Sequence, residues 1–215
     1  PGYAENNLVV PRASATAEIL AEYFIAEGYR PDPVTANALY VGIATDTGQF
    51  RFSSTTPRTF ELCHILCEWG ADPAWVANCL YERESFGRLV LLRRFLESLR
   101  LEGSGRVCLG VIDGDWYHET GTSSEDSEGF VDYARSIEGV EVACFLESKG
   151  EWIKGSFRSK DPFYRVNEIA ARFDGGGHAC AAGFRVRDNL DNAVPRVLAA
   201  INEHLATLDG DADAR

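Results

Sequence analysis

Three stretches of the chain carry residues whose types and spacing suit chemistry. In YVGIATDTGQF, Asp46 closes an apolar run and is followed by Thr-Gly. A tight turn there would aim the carboxylate at a fixed point, although an Asp in such a place also turns the chain simply by bonding its own backbone. Asp-Thr-Gly is found in aspartic proteases too, where two such aspartates share a proton. That reading needs a second copy or a symmetric dimer and strands around the triplet, whereas the residues before Asp46 read as a helix. In WIKGSFRS, strand alternation puts Trp152, Lys154, Ser156 and Arg158 on one face. Two cations and a hydroxyl suit a phosphate, with Arg offering a planar fork; an ordinary solvated strand face carries the same pattern. In FDGGGHACAAG, Gly175, Gly176 and Gly177 precede His178. Consecutive glycines let backbone N–H groups converge on an anion and let a ligand approach without Cβ interference. His178 would add a donor at the rim. The competing reading is a glycine turn between a helix and a packed, Ala-rich segment.

The elements that must position these residues follow from periodicity and caps. Helices are expected in AEILAEYFIAEG, stopped by Gly28; in DPVTANALYVGIATDTG, opened by Asp32-Pro33; in TPRTFELCHILCEWGAD, closed by Gly70; and in DPAWVANCLYE. A long fifth helix, SFGRLVLLRRFLESLRL, carries Leu89, Leu92, Leu96 and Leu99 as its apolar stripe. At Glu102-Gly-Ser-Gly-Arg106 the texture changes, which makes it the expected domain boundary. Beyond it, RVCLGVID, VEVACFLES and WIKGSFRS read as strands, SEGFVDYARSI and RVNEIAARF as helices. A last amphipathic helix spans about 190–208, and the acidic DGDADAR is expected to be disordered. The first half is therefore mostly helical, without an obvious sheet to cover, and the second half mixes α and β.

The 215 residues carry a net charge of −12, which disfavours long duplex nucleic acid, whose binding is dominated by phosphate contacts to Lys and Arg. No apolar run approaches a membrane span, and PGYAENNLVV shows neither the basic nor the apolar region of a signal peptide. The six cysteines form no CxxC pair and no zinc spacing with the four histidines. Buried, reduced thiols in a cytoplasmic protein are the plain expectation.

The order of the pieces carries more than any one of them. GIATDTGQFRFSS, LYERES, the Gly-Val-Glu-Val-Ala strand, KGSFRS and VNEIAARFDGGGHACAAG together resemble the DHH phosphoesterase superfamily, over roughly Asn7 to Leu208. Within it the chain is similar to the nanoRNases and the bifunctional oligoribonuclease and phosphoadenosine-phosphate phosphatases. The resemblance implies an α/β protein: residues 1–102 are the mostly helical remainder of a parallel-sheet DHH domain, 103–209 a mixed-sheet DHH-associated domain, and 210–215 a tail. It implies a metal-dependent hydrolase of short single-stranded RNA or small nucleotides, possessing two manganese ions (or magnesium) in its intact site and compatible with a homodimer. Asp46 matches a metal-binding catalytic aspartate, Arg158 and Ser159 an Arg-Ser pair near substrate phosphate, and Gly175–Gly177 with His178 the glycine-rich loop. Two closing domains would hinge near Ser104. Asp174 departs from the pattern, since many relatives have a fourth glycine there. The family's own Asp-x-Asp motif, its second aspartate motif and the Asp-His-His triad that names it have no counterpart in the sequence. The chain is therefore expected to start just after the triad, to lack most metal ligands and to be inactive alone. A nucleotide-binding module without hydrolysis is the alternative.

Overall fold

The computed structural model describes Glu5 and residues 7–213. Residues up to Arg83 form one compact unit and Glu84 onward a second.

The first unit is helical: α1 (Thr16–Ala26), α2 (Pro33–Asp46), α3 (Pro57–Glu68) and α4 (Pro73–Tyr81). Its helices start where the sequence supplies caps. Asp32, Thr56 and Asp72 each accept a hydrogen bond from the backbone N–H three residues on, and each is followed by a proline in the first turn. Ala36, Leu39, Ile43, Leu62 and Leu66 form the buried centre. Gly42 matters here: a Cβ on it would stand 2.7 Å from the Ala17 Cβ, so α1 packs against the bare backbone of α2.

The second unit begins with α5 (Phe86–Ser98), β1 (Arg100–Glu102) and β2 (Val107–Ile112). It continues through α6 (Asp115–Thr120), α7 (Phe130–Ser136), β3 (Val142–Lys149), β4 (Trp152–Ser159), α8 (Val166–Ala171), β5 (Gly176–His178), β6 (Ala181–Arg187) and α9 (Leu190–Asp213). The strands form one mixed sheet in the order β1-β2-β3-β4-β6-β5. β2 and β3 run parallel, and the other neighbours are antiparallel. α8 and α9 cover one face, over Leu109, Cys144, Leu146, Ile153, Phe157 and Phe184. α5 and α7 cover part of the other, where Leu91, Phe95, Phe130 and Ala134 meet Cys108, Ile112 and Phe145. Among the described residues no helix is long and apolar enough to cross a membrane.

The α/β class and the expected helices and strands are present, with four differences. α5 belongs to the second unit, so the break falls at 83/84 rather than near 102. Gly103–Gly105 is a tight turn joining β1 to β2, which pair as Glu102 with Val107. Ser104 therefore sits in a hairpin inside one unit, where it cannot act as a hinge between two. On α5 the buried residues are Leu91 and Phe95, while Leu89 and Leu96 are exposed, because the covering sheet lies against the neighbouring stripe. Finally, α9 runs on to Asp213, and Arg106 bonds Asp209 through both terminal nitrogens at 2.7 and 2.8 Å. That clamp fixes residues of the expected disordered tail; Ala214 and Arg215 lie outside the described residues.

Candidate functional site

α5 and α7 leave the β4–β6–β5 part of their sheet face open, and strand register decides what lies there. Across it run two rows of side chains. One passes from Phe145 on β3 to Ser156, Gly183 and Gly176; the next passes from Ala143 to Arg158, Ala181 and His178. Directly paired residues share a face, so Ser156 and Arg158 are each followed outward by glycine or alanine. Lys154 differs, since its partner on β6 is Arg185; beyond Ser156 and Arg158 the result is a trough with a bare floor. It forms a cavity of about 510 Å³, floored by Lys154, Ser156, Arg158, Gly176, Ala181 and Gly183 and walled by residues 124–129 ahead of α7. Two cations from β4 face two carboxylates of the wall, Glu125 and Glu128.

The alternation expected for WIKGSFRS holds: Ile153, Gly155, Phe157 and Ser159 are buried on the far side. Arg158 is half-buried at the cavity, and its Nη1 donates to the Phe157 carbonyl at 2.9 Å. Ser159 lies on the opposite face, 3% exposed, its hydroxyl donating to the Asp161 carbonyl at 3.0 Å. The two members of the expected Arg-Ser pair thus point away from one another, as adjacent residues of any strand must.

At least one of the three glycine amides is used within the protein. The Gly175 N–H donates to the Ala170 carbonyl at 3.0 Å. Gly176, Gly177 and His178 form edge strand β5, paired with β6. Their glycine character answers to close approach. A Cβ at Gly175 would meet the Gly183 oxygen at 2.3 Å, and one at Gly177, which has φ +144°, would meet the Ala181 oxygen at 2.5 Å. Gly176 differs, having open space where a Cβ would project, on the cavity side. Asp174 takes φ +55°, the left-handed conformation for which a fourth glycine would be suited. His178 is exposed at the sheet edge, in the row of Arg158 and outside the cavity lining.

A polar cluster borders the cavity. Glu147 on β3 is fully buried and pairs in register with Lys154. The Tyr117 hydroxyl donates to Glu147 Oε1 at 2.5 Å and lies 3.1 Å from Ser127 Oγ. Burial, and next the bond to Glu147, push the Tyr117 pKa well above the usual phenol range. The sequence gives a weak sign of this cluster, a lone Glu inside the apolar run VACFLESK. The floor positions Ala181 and Gly183 come to Arg158 and Ser156 only through strand pairing, and the 124–129 wall only through the packing of the loop ahead of α7, so neither carries a local sequence signal.

In the other unit, Asp46 is the last residue of α2 and is exposed. The backbone bonds of the turn come from Thr47, whose hydroxyl donates to the Ile43 carbonyl at 2.7 Å and accepts from Phe50 N at 3.1 Å. A carboxylate at a helix C-terminus meets the negative end of the macrodipole, a place that favours a cation. Among the described residues, however, no three of His, Cys, Asp and Glu gather as a metal ligand set.

Comparisons with known proteins agree with this architecture. Residues 105–207 match the DHHA1 domain family. The chain is 32% identical over 207 residues to the bifunctional oligoribonuclease and PAP phosphatase NrnA of Thermus thermophilus, covering 95% of this chain and 61% of that one. It is 27% identical to its namesake in Bacillus subtilis, covering 89% and 62%. The crystal structure of an exopolyphosphatase-related protein from Bacteroides fragilis superposes with a TM-score of 0.91 at 27% identity, covering 97% of this chain and 62% of that one. The similarity is thus to the DHH phosphoesterase superfamily, and within it to the bifunctional oligoribonuclease and PAP phosphatase branch; the chain spans about three fifths of the length of the two relatives named.

Proposed function

We propose that this sequence serves a metal-dependent phosphoesterase acting on short oligoribonucleotides and adenosine 3′,5′-bisphosphate, and that its second unit holds the nucleotide. The observation that carries the reading is the open sheet face, where Lys154, Ser156 and Arg158 stand beside a floor of glycine and alanine. A flat floor without side chains admits a ribose or base, and the cations on β4 suit a phosphate, Arg158 through a planar fork. His178, in the row of Arg158, adds a donor at the outer edge. A protein of net charge −12 with so local a basic patch suits short single strands better than long duplexes.

Two manganese ions, or magnesium, when bound supply a water of lowered pKa and stabilise the leaving oxygen. Asp46 fits one ligand of such a centre. The described residues offer no complete set, and the 215-residue chain is expected to bind nucleotide without turning it over. The same observation favours the second reading, a binding module that does not hydrolyse.

Calorimetric titration with adenosine 3′,5′-bisphosphate tests the first claim. Saturable binding that weakens at least tenfold in Arg158→Ala is expected; absence of saturable binding sinks it. Incubation of the chain with manganese and a short RNA tests the second. Robust turnover there contradicts the expected inactivity.

A further inference from the structure

Glu147 is the buried acid that the reading above does not use. It sits on β3 with its side chain 1% exposed, on the sheet face it shares with Phe145 and with its β2 partner Ile112. Taking a carboxylate out of water costs several kcal/mol unless partners offset it, and well-packed apolar residues often serve stability as well or better. Apart from Lys149, its partners lead to the cavity or its border. Lys154 Nζ lies 3.7 Å from Oε2 and Lys149 Nζ 3.3 Å from Oε1. Oε1 also accepts from Tyr117, whose oxygen lies 3.1 Å from Ser127 Oγ; the single Ser127 hydroxyl hydrogen has both that oxygen and the Ser124 carbonyl, 2.8 Å away, within reach. Lys154 is in the floor of the cavity, and Ser124 and Ser127 are in its wall.

We infer that Glu147 is a positioning residue: a single carboxylate that sets the floor cation Lys154 and, through Tyr117, the 124–127 wall around the ligand. The inference rests on the proposed nucleotide site. Glu147 Oε2 has no hydrogen-bond partner among the described residues, so charge attraction alone holds Lys154 toward it. An ammonium has three N–H donors, and a single attraction leaves donors for a phosphate. The raised Tyr117 pKa keeps the phenol a donor across the physiological range. Three roles give three different outcomes for Glu147→Gln. A packing role is met equally by Gln, which has the same shape and can still accept from Tyr117. A simple field effect predicts tighter binding, because a negative charge near the phosphate is gone. A positioning role predicts weaker binding, because Lys154 loses its anchor.

The test is titration of the whole chain with adenosine 3′,5′-bisphosphate. Glu147→Gln and Lys154→Met should each weaken binding about tenfold, equivalent to about 1.4 kcal/mol. The double variant should be within twofold of Lys154→Met alone, since both act through one ammonium. Lys149→Met, which removes the other cation of Glu147, should stay within twofold of the original. Unchanged or tighter binding by Glu147→Gln, additive losses in the double variant, or an equal loss from Lys149→Met would each overturn the inference. Should Glu147→Gln fold poorly, Tyr117→Phe tests the wall: at least a threefold loss is expected, and unaltered affinity overturns it. Loss of the nucleotide reading itself looks different, for the original chain then shows no saturable binding.

Discussion

The glycine run offers a sharp test of what its residues are for. At Gly175 and Gly177 an added methyl meets backbone, 2.3 Å from the Gly183 oxygen and 2.5 Å from the Ala181 oxygen. Backbone in a paired sheet cannot move aside cheaply, and overpacking of this kind costs about 1–3 kcal/mol. Gly177 adds the strain of φ +144°, roughly 1–3 kcal/mol for a residue with a Cβ. At Gly176 nothing stands within 4 Å of the methyl position. Ala there only reduces the freedom of the unfolded chain, which leaves stability unchanged or raised by up to about 1 kcal/mol. In a chain of this size 1 kcal/mol moves Tm by roughly 2–4 °C. Gly175→Ala should therefore melt about 2–12 °C lower, Gly177→Ala lower still because of the added strain, and Gly176→Ala no lower than the original. Thermal unfolding followed by circular dichroism reads all three. Equal destabilisation at all three positions, or none at 175 and 177, refutes the argument that the run exists for close approach of β5 to β6.

Ser159→Ala should lower stability by about 0.5–1.5 kcal/mol, the usual contribution of one hydrogen bond, through loss of the bond to the Asp161 carbonyl. Urea melts measure this, and nucleotide affinity should not move; a clear affinity loss would return Ser159 to the ligand side. In the helical unit, the Arg58 hydrogen bond holds the Glu22 pKa below its ordinary 4.5. A depressed acid stabilises the fold above its unfolded pKa, and that contribution fades as pH falls below about 4.5 through the folded value. Between pH 6 and pH 3, Glu22→Gln should lose less stability than the original chain, and parallel pH curves for the two would contradict the sign.

Much of the fold is legible in the sequence because local rules settle it. The Asp32-Pro33, Thr56-Pro57 and Asp72-Pro73 pairs announce helix starts, and each is a working cap. The period of two in WIKGSFRS fixes which side chains share the open face. What local rules miss is pairing. β1 and β5 have three residues each and β5 carries two glycines, so neither shows a strand signature. The α5 stripe is ambiguous because leucines lie on two neighbouring faces, and only the sheet decides between them. The Arg158–Ser159 pair follows a motif as adjacent letters, whereas a strand separates adjacent letters onto opposite sides. The glycines look alike in sequence, yet two serve packing and one opens onto the cavity.

The order of strands also governs when the site can come into being. β6 follows β5 in the chain but lies inside it, between β4 and β5. On a ribosome, the floor beside Arg158 does not exist until synthesis has passed Arg187, and β5 has no neighbour to join before then. A truncation between β4 and β6 therefore leaves every β4 cation in place but without the glycine and alanine floor that β6 provides.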